Sequence, residues 1–416
     1  GDFDGFVEEL CEPFYADNVG RPGIPPGVYF RMLIVGYYEG IDSQRGIPWR
    51  CADSRSLAQF LGYSQNEATP DHSSLTRIRD RLPLEIHEQV FAFVLSLAAD
   101  HNLLAGKTVA VDSTFLEANA AMKSIVRKET GEDWKAYVRR LAAEEGIEID
   151  NDEDLRKYDK NRSDKKVSNA EWESKSDGEA RIAKMKDGRT HLAYKAEHTI
   201  DLDSEFILDA SVYHADEADS ATLLTSVEAA QRNMFEAEAY CEIEEVVADK
   251  GYHKNETLAD CRRWHYWGLR TYIPEPDSQF ERRWTDKPPE QKEAVYANRR
   301  RTSGKRGKRL QKKRSELVER SFAHVCETGG ARRSWLRGLE KINKRYNIQV
   351  AAHNLGLLMR RRFGAGKPRC LQGGSALVDL CQFAQAAIEN AQSRICDLFT
   401  PRQQILHRNP ANAMAV

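Results

Sequence analysis

The sequence predicts a mixed α/β sheet with flanking helices, preceded by an all-helical N-terminal domain. The helical part follows from residues 14–104, in which apolar side chains recur at three- and four-residue spacing. The sheet follows from short β-branched or alternating runs after residue 107, which helical segments separate. At 416 residues, the chain is long enough for two or three domains with a sizeable core.

The N-terminal region is predicted to be helical throughout. Residues 29–41 are rich in aromatic and aliphatic side chains, and 54–61 form a short candidate helix. In the following helix, Thr69 can cap the N-terminus and Pro70 suits the first helical position. Residues 84–103 close the region with a strong helical pattern.

The helix that follows Pro70 carries three arginines largely off its apolar stripe. Two short helices, a glycine-containing turn and a basic second helix resemble a helix-turn-helix. We therefore expect DNA contact through Arg77, Arg79 and Arg81. A small helical domain with a solvated arginine face is the alternative interpretation.

Five strands are predicted in the α/β region. A long charged segment, at about 118–190, interrupts them and is predicted to be helical at 134–145 and loose elsewhere. Helices are expected at 219–234 and 255–264, between the later strands. The predicted strands are 108–113, 191–201, 206–213, 245–248 and 269–273.

Opposite charges are segregated along the chain, although the formal net charge is only −2. Residues 299–314 hold ten lysines and arginines and no acid, whereas residues 144–159 hold eight acids. Because neutralising phosphates gives sequence-independent affinity, the basic block favours nucleic-acid binding. A solvated, disordered loop is the alternative. The cations expected to contact DNA are Arg299, Arg300, Arg301, Lys305, Arg306, Lys308, Arg309, Lys312, Lys313 and Arg314, with Arg320 just beyond.

Composition argues against several other classes of protein. Hydrophobic residues make up 41% of the chain, and no run approaches the ~18 apolar residues that a membrane span needs. The eight cysteines are scattered without a CxxC pair, which argues against a zinc knuckle and a disulfide framework. We therefore expect a cytoplasmic protein that does not contact a membrane, and the basic block favours its association with the nucleoid.

Two aspartates follow apolar β-branched runs: Asp112 in VAVDST and Asp249 in VVADKGYH. A carboxylate at the tip of a buried strand is costly unless a positive charge meets it. Glu319, on a later helix, can converge with them, and oxygen ligands favour Mg²⁺ or Mn²⁺ over Zn²⁺. Two such ions ~3.5–4 Å apart support in-line phosphoryl displacement. The alternative is that these aspartates are ordinary cap or turn residues.

The blocks around these carboxylates resemble the three catalytic blocks of bacterial insertion-sequence DDE transposases. VAVDST and VVADKGYH are followed in order by LVERSFAHVCETGGARRSWLRG and AAHNLGLLMR. The similarity is to the group with a helical N-terminal domain and a ribonuclease H-like core, and it covers about residues 13–363. It implies that Asp112, Asp249 and Glu319 are the catalytic residues and the ligands of two Mg²⁺ (or Mn²⁺) ions. The implied reaction is hydrolysis at the element's ends, then transfer of the 3′-hydroxyl into target DNA.

The resemblance also implies partners and a domain plan. The partners are double-stranded DNA, both the element's terminal inverted repeats and the target, and further copies of the chain in a homodimer or larger synaptic complex. Tyr252 and His253 are candidates for touching DNA or orienting water, with a structural role as the alternative. The expected domains are 1–104, a catalytic domain at 105–363 that contains a basic segment at about 279–314, and a C-terminal helix and tail at 364–416.

The helix around Glu319 departs from the family pattern. Related transposases carry a Tyr or Arg about one turn before the glutamate and a Lys at the seventh position after it. Here Arg314 lies five residues before Glu319, and Cys326 stands at the seventh position. Arg320, Arg332 and Arg333 are nearby cations that can supply the missing charge. Glu316, one turn away, is a weaker rival for the third ligand.

Two other functions are compatible with the same residues. One is a catalytically inactive, domesticated descendant that only binds DNA, against which the intact carboxylates argue. The other is a nuclease of the same fold that hydrolyses DNA without joining strands.

Overall fold

The central sheet contains all five strands that the sequence predicts. The computed structural model describes residues 2–15, 23–64, 66–163, 168–185, 188–264, 268–277 and 282–366. Three further short strands lie in the charged insertion, which was expected to be loose outside its helix. The strands are β1 Thr108–Glu117, β2 Ile125–Arg127, β3 Trp172–Ser174, β4 Arg181–Lys184, β5 Thr190–Asp201, β6 Ile207–His214, β7 Glu245–Val247 and β8 Arg270–Tyr272.

The strand order of the large sheet is β4–β5–β1–β7–β8, and β6 also pairs with β5. β5 is antiparallel to β1 and to β6, whereas β7 runs parallel to β1 and β8 runs parallel to β7. β2 and β3 form a separate pair within the insertion. This mixed sheet is the one expected of a ribonuclease H-like core.

The helices of the N-terminal region lie close to where the sequence predicts them. One start differs: Asp71 caps the helix that carries the three arginines, because its side chain accepts a hydrogen bond from the Ser74 amide at 2.9 Å. Thr69 and Pro70 therefore lie before this helix rather than at its cap and first position. The helices are α1 Phe3–Cys11, α2 Pro26–Tyr38, α3 Gly46–Asp53, α4 Arg55–Phe60, α5 His72–Arg81 and α6 Leu84–Asp100.

The later helices include one that the sequence analysis missed in the basic segment. No helix was predicted before Lys305 in that segment, but it forms two helices broken at Gly304. The Asn298 side chain fastens the first of them to the end of β8, because it bonds both the amide and the carbonyl of Ile273. The later helices are α7 Trp134–Glu144, α8 Asp152–Asn161, α9 Asp219–Glu236, α10 Asn255–Arg263, α11 Pro289–Ser303, α12 Lys305–Phe322 and α13 Leu339–Phe363.

The sheet is covered on both faces, which explains why β5 is buried along most of its length. Side chains alternate between the two faces of a strand. Lys195 and Glu197 contact α9, whereas His198 contacts α12. α9 and α12 therefore pack on opposite faces of the sheet.

Residues 1–355 form one compact unit, and the chain from Gly356 onward forms a second, of which the structure describes 356–366. Within the first unit, α2 is fastened to α13: Tyr37 Oη bonds His353 Nδ1 at 3.2 Å, and Tyr38 Oη donates to the Ala352 carbonyl. The helix predicted at 376–388 lies outside the described residues.

No single helix in the described part of the chain is long and apolar enough to cross a membrane. α5 and α6 satisfy the length and composition criteria only as a pair, and the chain bends by 99° between them.

Candidate active site

Asp112 and Asp249 are brought together by the register of two parallel strands. Ala110 of β1 pairs with Val247 of β7, and each aspartate lies two residues further along its own chain. β7 ends at Val247, whereas β1 continues to Glu117, so Asp112 lies within its strand rather than at the strand tip that the sequence predicts. Both carboxylates therefore lie just beyond the point where the pairing of β1 with β7 stops. In agreement, the negative charge of Asp249 contributes to a raised pKa of Asp112.

The carboxylate of Asp112 is held by two partners. Its Oδ1 accepts a hydrogen bond from the Ser113 amide at 2.9 Å, and its Oδ2 accepts one from Arg314 Nη1 at 2.6 Å. Burial raises the pKa of this group, while the Arg314 charge acts in the opposite direction. The positive charge that a buried carboxylate requires is thus supplied by α12 in this structure.

Asp249 caps the short 3-10 turn Lys250–Tyr252, because its Oδ1 accepts from the Gly251 amide at 2.8 Å. A Cβ at position 251 would lie 2.9 Å from Asp219 Oδ2 and 3.0 Å from Asp249 Oδ1. Contacts shorter than 3.0 Å are essentially never seen for Cβ atoms, so a side chain at position 251 would force the Asp219 carboxylate to move. Glycine therefore allows the Asp219 and Asp249 carboxylates to lie on either side of this turn.

Asp219 is a residue at the site that the sequence analysis missed. It begins α9, and its Oδ1 accepts hydrogen bonds from Ser113 Oγ at 3.1 Å and from Lys195 Nζ at 3.3 Å. An acid in the first turn of a helix is ordinary, because it complements the helix dipole. Only the pairing of β1 with β5 brings Ser113 and Lys195 near it, so no local signal was available.

A buried polar network lies beneath the Asp249 turn. Tyr252 donates to Glu197 Oε2 at 2.8 Å, and Thr222 and Ser226 donate to the same carboxylate. Burial raises the pKa of Glu197, and Lys195 is among the groups that oppose this rise. Tyr252 is fully buried, so its side chain is not available to DNA in this conformation, and a role in touching DNA or orienting water stays a prediction. Tyr252 here anchors the turn to β5.

His253, the other auxiliary candidate, is half-buried at the end of the same turn. Burial lowers its pKa, as does the nearby positive charge of Arg282. Its Nε2 atom has no hydrogen-bond partner among the described residues. A role toward DNA thus stays a prediction for His253.

Glu319 is not brought into contact with the two aspartates. It lies on the exposed side of α12, where its Oε1 accepts from Ser315 Oγ at 3.3 Å, while Val318 next to it is buried. Its rival Glu316 is also exposed and pairs with Arg320. In the part of the chain that the structure describes, no group of three or more His, Cys, Asp or Glu side chains could hold a metal ion.

α12 is nevertheless anchored at the level of Asp112. His198, the β5 partner of Asp112 in the sheet register, shares a hydrogen bond with Ser321 Oγ at 2.9 Å and stacks on Phe322. Its other ring nitrogen lies 2.8 Å from Tyr346 Oη. Burial lowers the pKa of His198 well below the usual range of a histidine. This contact sets how α12 crosses the sheet.

Cys326 is buried in a π-helical turn, Ala323–Thr328, that continues α12. Of the three arginines considered as replacements for the expected lysine, Arg333 lies at the end of β1, 3.9 Å from Glu117, and Arg332 contacts β1 closer to Asp112. Its Nη1 donates to Thr114 Oγ1 at 3.2 Å and to the Phe115 carbonyl at 3.0 Å, two and three residues after Asp112. Arg320 instead pairs with Glu205 and Glu316.

The cations expected to contact DNA fall into two groups. Six have partners in the chain: Arg299 with Glu275, Arg301 with Thr271, Arg306 with Glu245, Lys313 with Asp203, Arg314 with Asp112 and Arg320 with Glu205. The others are exposed and have no carboxylate partner among the described residues: Arg300, Lys305, Lys308, Arg309 and Lys312. The alternative of a disordered loop is wrong, because both halves of the stretch are helical.

The three arginines of α5 also differ from one another. Arg77 and Arg81 are exposed, and Arg81 lies over the Tyr15 ring. Arg79 is only 3% exposed, donates to Gln44 and lies 5.4 Å from the centre of the Trp335 ring. At about 3.6 residues per turn, a step of two residues rotates a side chain by about 200°, so Arg79 points to the opposite, buried side of the helix from Arg77 and Arg81. Arg79 is therefore not available to DNA in this conformation, and its contact with DNA stays a prediction.

The donor set beyond the paired part of β1 and β7 suits a hard divalent cation. The carboxylates of Asp112 and Asp249 offer oxygen ligands of the kind that Mg²⁺ and Mn²⁺ prefer. Neither a thiol nor an imidazole is in hydrogen-bond contact with either carboxylate among the described residues. The carboxylate oxygens of Asp112 and Asp249 are therefore suitable ligands for Mg²⁺ or Mn²⁺.

Comparison with known protein families gives two matches. The family described as "Transposase DDE domain" matches residues 105–355, which is more than half of the chain. The family described as "Transposase domain (DUF772)" matches residues 2–81, in the N-terminal helices. Comparison with curated proteins gave no match, and comparison with solved structures gave none. The first match confirms the ribonuclease H-like fold expected of the α/β region.

Proposed function

Because the chain belongs to the transposase DDE domain family, we propose that this DNA transposase cuts the ends of its own insertion element and joins them to target DNA. The observation that carries the proposal is the convergence of Asp112 and Asp249 just beyond the paired part of β1 and β7. α12, which bears the third family carboxylate, crosses the sheet at the same level.

The metal ligands in this proposal are Asp112, Asp249 and Glu319, holding two Mg²⁺ or Mn²⁺ ions. Such ions, when bound, activate the attacking oxygen and stabilise the leaving oxygen of a phosphoryl transfer. Glu319 must turn from the solvent side of α12 to reach the aspartates. Arg314 must release one oxygen of Asp112, and its guanidinium is then available to a phosphate.

The DNA-binding surface in this proposal is formed by the exposed cations of α11 and α12. Arg300, Lys305, Lys308, Arg309 and Lys312 are free of carboxylate partners in the described residues and project from two consecutive helices. Arg77 and Arg81 on α5 form a second exposed basic group. Duplex DNA from the element's ends and from the target is the expected ligand, and a homodimer or larger assembly is the expected synaptic complex.

The deciding experiment is a joining assay. The purified protein is incubated with supercoiled plasmid, Mg²⁺ and labelled duplexes that carry the DNA flanking its own coding sequence. The proposal predicts labelled ends covalently joined to plasmid. Hydrolysis without joined product would identify a nuclease of the same fold, and binding without either reaction would identify an inactive descendant.

A further inference from the structure

A cleft of about 1220 Å³ opens beside the turn that carries Asp249. Its wall begins at His253, four residues after Asp249, and continues through α10, the segment before α11 and α11 itself. Four residues span at most about 14 Å of extended chain. One DNA strand rises about 3.4 Å per nucleotide. The cleft therefore starts no more than about four nucleotides away from Asp249.

The cleft carries an excess of positive charge. Five cations line it, against two carboxylates, Glu256 and Glu275. Glu256 forms an ion pair with Lys254 at 2.6 Å. Glu275 forms ion pairs with Arg299 at 2.6 Å and with Arg282 at 3.4 Å. The remaining two lining cations, Arg283 and Lys287, are exposed and have no carboxylate partner among the described residues.

The aromatic rings of this region lie against the cations. Arg282 and Lys287 lie 5.7 and 5.9 Å from the centre of the Trp284 ring, and Arg299 lies 5.0 Å from that of Tyr296. Cation–π contacts of this kind keep the charged groups in place. The cleft thus presents positioned positive charge, which suits phosphates better than nucleobases.

We propose that this cleft binds the sugar–phosphate backbone of the DNA strand that enters the Asp112–Asp249 site, with Arg283 and Lys287 each contacting a phosphate. The proposal rests on the proposed function, since it takes DNA as the substrate. It adds Arg283 and Lys287, which precede α11, to the cations of residues 299–314 as contacts for DNA. His253, whose Nε2 lacks a partner among the described residues, lines the cleft four residues after Asp249.

The test is the salt dependence of DNA binding. Binding of a fluorescein-labelled 30-base-pair duplex is measured by anisotropy in EDTA, so that cleavage cannot occur, for wild type and for Arg283→Ala/Lys287→Ala. Loss of two phosphate contacts makes the negative slope of log K against log salt shallower by about 1.8 and weakens binding about 10- to 100-fold at 0.1 M salt. The charge-conserving pair Arg283→Lys/Lys287→Arg is expected to restore the wild-type slope.

The matched control is Lys160→Ala/Lys292→Ala, which removes two exposed cations that do not line the cleft. The proposal would be overturned by any of three results. These are a wild-type slope in Arg283→Ala/Lys287→Ala, an equally shallow slope in the control variant, or no binding of the duplex by the wild type. Failure of the cleft is distinguishable from failure of the function. If the wild type joins DNA but the slope of Arg283→Ala/Lys287→Ala is unchanged, only the proposed role of the cleft is refuted. If that slope becomes shallower but the wild type shows no metal-dependent joining, only the proposed function is refuted.

Discussion

At the scale of single residues, the ion pair between Asp112 and Arg314 shows both what the sequence could predict and what it could not. A strand-tip carboxylate predicts a positive partner, because burial without one is costly. The sequence analysis placed Arg314 on a DNA surface, but its Nη1 lies 2.6 Å from Asp112 Oδ2. The two residues are 202 positions apart, and only the rotation of α12 on the sheet brings them together.

The place of Asp219 at the site could not be predicted from the sequence either, because its partners are distant along the chain. Its hydrogen bonds to Ser113 and Lys195 come from strands far away in sequence. Asp112 and Asp249, by contrast, were predictable because each follows its own apolar run, and parallel pairing of those runs puts the two carboxylates just beyond the point where that pairing stops.

The identity of the third ligand can be tested by exchanging single glutamates. Glu319→Gln keeps the shape but removes the anionic oxygen, so Mg²⁺-dependent cleavage is expected to fall at least about 100-fold, beyond the loss typical of outer-shell partners. Glu316→Gln is the matched control, because Glu316 is an exposed glutamate of the same helix. Cleavage rates are measured on the element-end duplex. Full activity in Glu319→Gln, or equal losses in both variants, would contradict the assignment, and a loss confined to Asp219→Asn would transfer the role to Asp219.

At the scale of elements, the strands were predicted well, whereas the first basic helix, α11, was missed. β1, β5 and β6 carry β-branched or alternating apolar residues, which is a local signal. α11 buries only Ala294, Val295 and Asn298, so its sequence lacks a wide apolar stripe. The helix is held by hydrogen bonds from the Asn298 side chain to the backbone of Ile273. This is a tertiary contact, which the local sequence does not predict.

The turn after β7 gives a prediction at this scale. In Gly251→Ala the new methyl group meets the Asp219 and Asp249 carboxylates, so cleavage is expected to fall as these oxygens move apart. The contacts are side-chain atoms, so the free energy of unfolding should change by no more than about 1 kcal/mol. Gly178→Ala is the control, since nothing lies within 4 Å of its Cβ position. Cleavage rate and urea unfolding are measured together, and a variant with wild-type cleavage would show that the turn tolerates displacement.

At the scale of the whole molecule, the N-terminal helices and the α/β region share contacts that the domain plan did not foresee. Apolar periodicity correctly separated the helical region from the sheet. It could not show that Ile348 of α13 is part of the core formed by α1 to α6. Lys344 also donates to the Arg79 carbonyl across this contact. The boundary near residue 104 stays a prediction, since the structure groups residues 1–355 as one unit.

This contact predicts that the two regions unfold together. Ile348→Ala removes a fully buried side chain and is expected to lower the free energy of unfolding by about 2–5 kcal/mol. Ile147→Ala, at an isoleucine that is 43% exposed, should change it by no more than about 0.5 kcal/mol. The measurement is urea unfolding followed by circular dichroism and by tryptophan fluorescence. Two separate transitions, with only one shifted by Ile348→Ala, would show that the regions fold independently.

The central claim is that Asp112 and Asp249 form a metal-dependent site for cutting DNA. The most direct measurement compares wild type with Asp249→Asn for binding and for Mg²⁺-dependent cleavage of a labelled element-end duplex. The substitution removes an anionic ligand at nearly constant shape, so we expect binding to be unchanged and cleavage to be lost. Asp53→Asn, at an exposed aspartate of α3, is the control and should cleave normally. Mg²⁺-dependent cleavage by Asp249→Asn at the wild-type rate would contradict the claim.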